Sequence, residues 1–160
     1  MSRQALYTGK SGQLAVMAEF VSRGYNVAVP EVDVGDDLFV VRDADGELSR
    51  VQVKTANARA TQGGHVASFK VPLRQLETPH RPDMNYVFVV RVDERWSDFV
   101  LVDRKALYDL HVLHGVGRAV DGHVIFELIW HGPILRCCGH DLQSLRNNWS
   151  RWPPIRHGLR

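Results

Sequence analysis

The sequence predicts one α/β or α+β domain: a mixed or antiparallel sheet, a helix at the start of the chain and a second helix packed on the sheet. Three observations predict it: an amphipathic stretch near the N-terminus, a series of short apolar stretches separated by turn residues, and a second amphipathic stretch late in the chain. The chain has 160 residues, of which 44% are hydrophobic and 24% charged. These values are typical of a globular chain with a real core.

The first helix is predicted over residues 11–23, because Leu14 and Met17 fall on one helical face. Ser11 is a candidate N-cap, and Gly24 ends the helix. Apolar stretches bounded by turn residues then predict strands at 25–30, 38–41, 48–55, 67–71, 86–92, 99–102 and 123–130.

The second helix is predicted from Asp103, a suitable N-cap, to about Leu113. A third, short helix is predicted over residues 141–149, where apolar side chains recur at helical spacing. Pro153 and Pro154 exclude regular helix from the last residues of the chain.

Charge is unevenly distributed, although the formal net charge is only +2. Residues 131–160 hold five arginines and one aspartate. We therefore predict a core of residues 1–130 and a basic, aromatic C-terminal arm of residues 131–160. A basic arm on a nearly neutral body indicates a polyanionic partner.

The sequence also predicts a compartment. No apolar stretch is long enough to span a membrane, and the first residues lack the apolar segment of a secretory signal. The two cysteines, Cys137 and Cys138, are adjacent, and such neighbours rarely pair. These features predict a protein of the reducing cytoplasm that does not enter a membrane.

Three polar residues of the predicted hairpin carry the chemistry. Strand side chains alternate between faces, so Gln52 and Lys54 point to the same side of their strand. Asp37 stands at the open end of the partner strand, where it can lie near both. Oxygen ligands suit magnesium, and a lysine beside the ion can position a phosphate. A carboxylate, an amide oxygen and an ammonium group in one place are the groups that metal-assisted cleavage of a phosphodiester requires.

At these residues the chain resembles the PD-(D/E)XK nuclease superfamily, in particular the small branch whose last motif reads Gln-x-Lys. That branch includes intron-type homing endonucleases and lies near the Holliday-junction resolvases. The resemblance implies a restriction-endonuclease-like core with a central mixed sheet and flanking helices. The segments that carry it are Lys10-Ser11-Gly12-Gln13, Gly24-Tyr25-Asn26-Val27, Gly35-Asp36-Asp37-Leu38, Val51-Gln52-Val53-Lys54-Thr55 and residues 86–107.

The resemblance implies roles for the site residues. Asp37 is the main metal ligand, with Asp36 as the alternative. Gln52 supplies a second oxygen through its side chain, and the backbone carbonyl of Val53 supplies a third. Lys54 orients water and stabilises developing charge on the phosphate. The implied cofactor is magnesium, with manganese as a substitute.

Gln13 is the fourth candidate catalytic residue, because its face of the first helix should look toward the sheet and the site. It departs from the family pattern, in which the first helix usually carries glutamate at this place. With Gln13 and Gln52 both neutral, a magnesium ion should bind more weakly. The sequence leaves three explanations open: a weakened enzyme, compensation by Asp33 or Asp36, or a loss of charge at this position in this chain. A non-catalytic nucleic-acid-binding or interaction module on the same fold is therefore the alternative function.

The implied partner is DNA, and cleavage of both strands of a duplex calls for a homodimer or a larger homo-oligomer. Lys10 and the arginines of the arm are the predicted DNA contacts, namely Arg146, Arg151 and Arg156. A third, unrelated hypothesis is a small metal or redox domain. Its candidate ligands are the pair His111 and His114, and the group His131, Cys137, Cys138 and His140.

Overall fold

The computed structural model describes residues 2–32 and 35–156, which form three layers: a helix, a five-stranded mixed sheet and a six-stranded antiparallel sheet. The mixed α+β class predicted from the sequence is confirmed. The elements are α1 (Arg3–Ser22), β1 (Asn26–Ala28), β2 (Leu38–Arg42), β3 (Glu47–Asn57), β4 (Arg59–Thr61), β5 (Gly64–Pro72), α2 (Leu73–Glu77), β6 (Met84–Val92), β7 (Arg95–Asp103), α3 (Arg104–His114), β8 (Arg118–Val120), β9 (His123–His131), β10 (Ile134–Cys137), β11 (His140–Asp141) and a 3₁₀ turn (Gln143–Leu145).

The first sheet has the strand order β1-β2-β3-β6-β7, and its only parallel pair is β3 with β6 among the described residues. The central strand β3 is much longer than β2. Pairing with β2 stops at Val51, whereas pairing with β6 continues to Asn57. Within the described ranges, residues 52–57 of β3 therefore have a strand on one side only, and this free edge lies where β2 begins.

Helix α1 packs on the first sheet through Gly12, Val16 and Phe20, which are buried. It starts earlier than the sequence predicts: Ser2 is the N-cap, accepting a 3.2 Å hydrogen bond from the Ala5 amide. The prediction of Ser11 as cap is wrong. A glycine at position 9 lowers helix propensity and hides the first turns of the helix from a sequence-based reading.

Helix α3 begins and ends as predicted. The carboxylate of Asp103 accepts a 2.8 Å hydrogen bond from the Ala106 amide, and Gly115 ends the helix in the left-handed conformation with φ of 66°. In the part of the chain that the structure describes, no helix combines the length and the hydropathy needed to cross a bilayer.

The core lies on both faces of the first sheet. The larger cluster fills the space between the two sheets, where Tyr86 and Phe88 of β6 meet Phe69 of β5 and Phe126 of β9. The smaller cluster lies between the first sheet and α1. Both clusters are formed by alternate residues of the same strands, so β6 is buried on both of its faces.

The predicted helix over residues 141–149 is wrong. Its first residue, Asp141, pairs in β11, and Gln143–Leu145 form a single 3₁₀ turn. Asn147 then adopts φ of 50°, and its amide donates to the Phe99 carbonyl, so the chain returns to β7 instead of coiling. The division at residue 131 stays a prediction; the described part of the arm contacts the core, with Trp152 buried against Phe20.

Candidate active site

Asp37 forms hydrogen bonds with β3 at the start of its free edge. Its amide donates to the Val51 carbonyl at 3.0 Å, which continues the β2–β3 ladder by one residue. Its carboxylate Oδ2 then accepts a 2.7 Å hydrogen bond from the Val53 amide, the next donor along that edge. The side chain thus takes the place of a missing strand, and both its backbone and its carboxylate are fixed relative to β3.

Gln52 and Lys54 stand two residues apart on the same face of β3, as strand alternation predicts. The amide nitrogen of Gln52 donates to the Asp37 carboxylate and lies 3.4 Å from the Val53 carbonyl oxygen. Gln52 is almost fully buried, whereas Lys54 is half-buried. The structure therefore brings together the three groups that the sequence predicts to converge.

Helix α1 contributes two more polar side chains to this site. Gln13 Nε2 donates to the backbone carbonyl of Asp37 at 2.8 Å, and its Oε1 accepts from Lys10 Nζ at 2.7 Å. A neutral amide suits this position, because it donates to the Asp37 carbonyl and accepts from the lysine at the same time, whereas an ionised glutamate could only accept. Gln13 thus links the helix to the carboxylate residue without adding a charge.

These residues line one open cleft of about 500 Å³. It lies between the N-terminal half of α1 and the free edge of β3. Asp37 is the only carboxylate residue among the described residues that line it. The lining residues are Leu6, Gly9, Lys10, Gln13, Asp37, Gln52, Val53, Lys54 and Thr55.

The alternative ligand, Asp36, lies outside the cleft. It is fully buried and receives two hydrogen bonds from the guanidinium of Arg50. Hydrogen bonding to the Asp36 carboxylate raises the pKa of the Arg50 guanidinium. Asp36 therefore serves to join the start of β2 to β3, and the neighbouring candidate, Asp33, lies outside the described residues.

None of the three predicted DNA-contacting arginines lines this cleft. Arg146 donates to the buried carboxylate of Asp98 at 2.9 Å and to the Pro133 carbonyl. Arg151 lies over the Trp152 ring, which packs on Phe20. Phe20 follows Gln13 by seven positions, so this packing lies about 10 Å farther along α1. Arg156, the last described residue, is exposed.

Gln75 of α2 belongs to the site, although no motif marks it. Its Nε2 donates to the Gly35 carbonyl at 3.0 Å and to Gln52 Oε1 at 3.2 Å. Gln75 thus holds Gln52 from the side opposite Asp37. Sequence patterns miss it because α2 has only five residues and contacts Gln52 through tertiary packing that no spacing in the chain encodes.

The donor set of the cleft suits a hard divalent cation. It offers a carboxylate, an amide and a backbone carbonyl, all oxygen ligands of the kind magnesium takes together with water. The other predicted metal groups are not supported: within residues 2–32 and 35–156, no three His, Cys, Asp or Glu side chains cluster to hold an ion. Cys137 is buried, and Cys138 accepts a hydrogen bond from the Gly117 amide.

Comparison with known proteins finds similarity in structure but not in sequence. Neither a family model nor a curated protein matches this chain in sequence. Among solved structures, the fold is similar to that of a bacterial homing endonuclease, I-Ssp6803I, with a TM-score of 0.56 and 19% identity. The match covers 94% of this chain and 91% of that chain. The chain therefore shares the overall fold of that endonuclease, and a shared fold does not by itself establish an activity.

Proposed function

We propose that this chain is a magnesium-dependent DNA endonuclease of the PD-(D/E)XK type, whose Gln-x-Lys motif is Gln52-Val53-Lys54. The observation that carries the proposal is the convergence of Asp37, Gln52 and Lys54 in one open cleft, fixed by the hydrogen bonds at the free edge of β3. The nuclease fold of its structural neighbour supports it.

Each residue of the cleft has a role in the proposed reaction. Asp37 would hold the cation, together with the Gln52 side-chain oxygen and the Val53 carbonyl. Magnesium, when bound, supplies Lewis acidity toward the phosphate and lowers the pKa of water. Lys54 orients the attacking water and stabilises the charge that develops on the phosphate. The oxygen of the attacking water forms a new bond to phosphorus as the bond from phosphorus to the 3′ oxygen breaks; the water gives up a proton to solvent and the 3′ oxygen takes one up, which leaves a 5′-phosphate and a 3′-hydroxyl.

DNA would reach the cleft along the N-terminal half of α1, where Lys10 lines the opening. Arg151 and Arg156 are proposed as further contacts to the backbone phosphates. Arg146 is less suited to this role, because its guanidinium is already bonded to Asp98. Since one cleft cuts one strand, we propose that a homo-oligomer cleaves a duplex.

The test is cleavage of supercoiled plasmid in magnesium or manganese by Lys54→Ala, with Lys70→Ala as the matched control. Lys70 is an exposed lysine of β5 that does not line the cleft. Loss of a group that stabilises charge in the transition state should lower the rate about 100-fold or more, while the Lys70 variant cleaves like the parent. Equal cleavage by Lys54→Ala and the parent would refute the assignment.

A second candidate is a non-catalytic DNA-binding module on the same fold. The neutral Gln13 favours it, because Asp37 is then the single carboxylate residue among the described cleft residues. In that case DNA binding persists in EDTA, weakens steeply with salt and is never followed by cleavage. Affinity that rises with added magnesium would instead favour the endonuclease, as would faster cleavage by Gln13→Glu.

A further inference from the structure

The side-chain amides of Gln75 and Gln52 form a chain of hydrogen bonds that ends at the Asp37 carboxylate. Gln75 Nε2 donates to Gln52 Oε1, and Gln52 Nε2 donates to the Asp37 carboxylate. The oxygen of Gln52, the atom a cation needs, therefore faces away from Asp37 and toward Gln75. The side-chain amide of Gln52 must flip, so that its oxygen and nitrogen exchange positions, before the oxygen can reach an ion held by Asp37.

Turning Gln52 alone would create a conflict. Its Nε2 would then face the Nε2 of Gln75, and two donors without an acceptor between them repel. The pair is compatible only if Gln75 also presents its oxygen. That oxygen, Gln75 Oε1, is buried and has no hydrogen-bond partner among the described residues. A buried acceptor without a donor is costly, and its presence in a native site calls for an explanation, such as a donor that it meets in another state of the site.

We propose that Gln75 is a positioning residue for the metal site, and that the Gln75 and Gln52 amides turn over together when the cation binds. In the bound arrangement Gln52 Oε1 faces the ion beside Asp37, and Gln52 Nε2 donates to Gln75 Oε1. Gln75 Nε2 then leaves the Gly35 carbonyl. This inference rests on the proposed function, since it assumes a divalent cation at Asp37.

The first experiment measures manganese affinity by calorimetry for Gln75→Glu. Glutamate has nearly the shape of glutamine but can only accept, so it holds Gln52 with the oxygen toward the ion. We expect the Kd for manganese to fall about 10-fold, a size common for residues that orient metal ligands. Gln62→Glu, which adds the same charge on an exposed turn, should leave the Kd unchanged.

A double-mutant cycle separates orientation from added charge. In a Gln52→Leu background there is no amide to orient, so Gln75→Glu should no longer tighten manganese binding. If it tightens binding equally in both backgrounds, the added charge is the whole cause and the coupled turn is wrong. Unchanged or weaker binding by Gln75→Glu in the parent background would also overturn it.

Side-chain amide NMR of the parent protein during a magnesium titration distinguishes this inference from the proposed function. We expect the Gln52 and Gln75 amide signals to shift together and to saturate at the same magnesium concentration. A Gln52 shift without a Gln75 shift would overturn the coupled turn while leaving the metal site in place. No magnesium-dependent shift at either residue would overturn both proposals.

Discussion

Gly12 and Gly9 stand in the same helix but face different surroundings. A Cβ at Gly9 meets nothing within 4 Å, whereas a Cβ at Gly12 would lie 2.1 Å from Oγ1, 2.7 Å from Cγ2 and 3.0 Å from Cβ of Thr55. Alanine is favoured over glycine in a helix by about 1 kcal/mol at either position. Overpacking costs about 1–3 kcal/mol, and the upper end applies at Gly12 because Thr55 is short and attached to β3.

We therefore expect Gly12→Ala to lower the free energy of unfolding by ~2 kcal/mol and Gly9→Ala to raise it by ~1 kcal/mol. Urea unfolding followed by circular dichroism measures both. Adding Thr55→Ala to Gly12→Ala removes the two closest atoms and should restore most of the loss. Equal effects of the two glycine substitutions, or no recovery in the double variant, would refute the close contact of α1 with β3 on which the cleft depends.

Two further predictions concern groups outside the cleft. His65 stacks on Trp130, and burial lowers the pKa of its imidazole below the ordinary 6.5. The folded protein therefore favours the neutral imidazole, whereas the unfolded chain takes up a proton as the pH drops below 6.5. The free energy of unfolding should consequently fall over that range. In His65→Phe this loss should disappear from urea unfolding measured between pH 7 and pH 5; a parent-like pH dependence would contradict the assignment. Arg146→Met leaves the buried Asp98 without its cation and should cost about 2–3 kcal/mol in the same assay, whereas the exposed Arg151→Met should cost less than about 0.5 kcal/mol. Similar losses in both arginine variants would argue against a structural ion pair.

The parts of the site that the sequence predicts are those set by local rules. Strand alternation places Gln52 and Lys54 on one face whatever surrounds them. The turn at residues 43–46 fixes which residues of β2 and β3 pair, and that register brings Asp37 to Val51 and the residues after it. The N-cap at Asp103 is predictable for the same reason, because its hydrogen bond joins residues only three apart in the chain.

The features that the sequence does not predict depend on distant packing. Gln75 reaches Gln52 only because the second sheet covers the first, and no spacing in the chain encodes that approach. The sequence leaves Asp36 as the alternative ligand, and no motif in the chain encodes the ion pair with Arg50 in which its buried carboxylate is held. The apolar spacing at residues 141–149 predicts a helix, but the backbone is pulled back to β7 by Asn147.

The proposed activity depends on Asp37 holding a cation at the free edge of β3. Crystals soaked in manganese test it directly through anomalous difference density. We expect a peak about 2.2 Å from a carboxylate oxygen of Asp37, inside the cleft that Lys54 and Gln13 line. A map with no peak in that cleft, or with its peak at another site, would contradict the account.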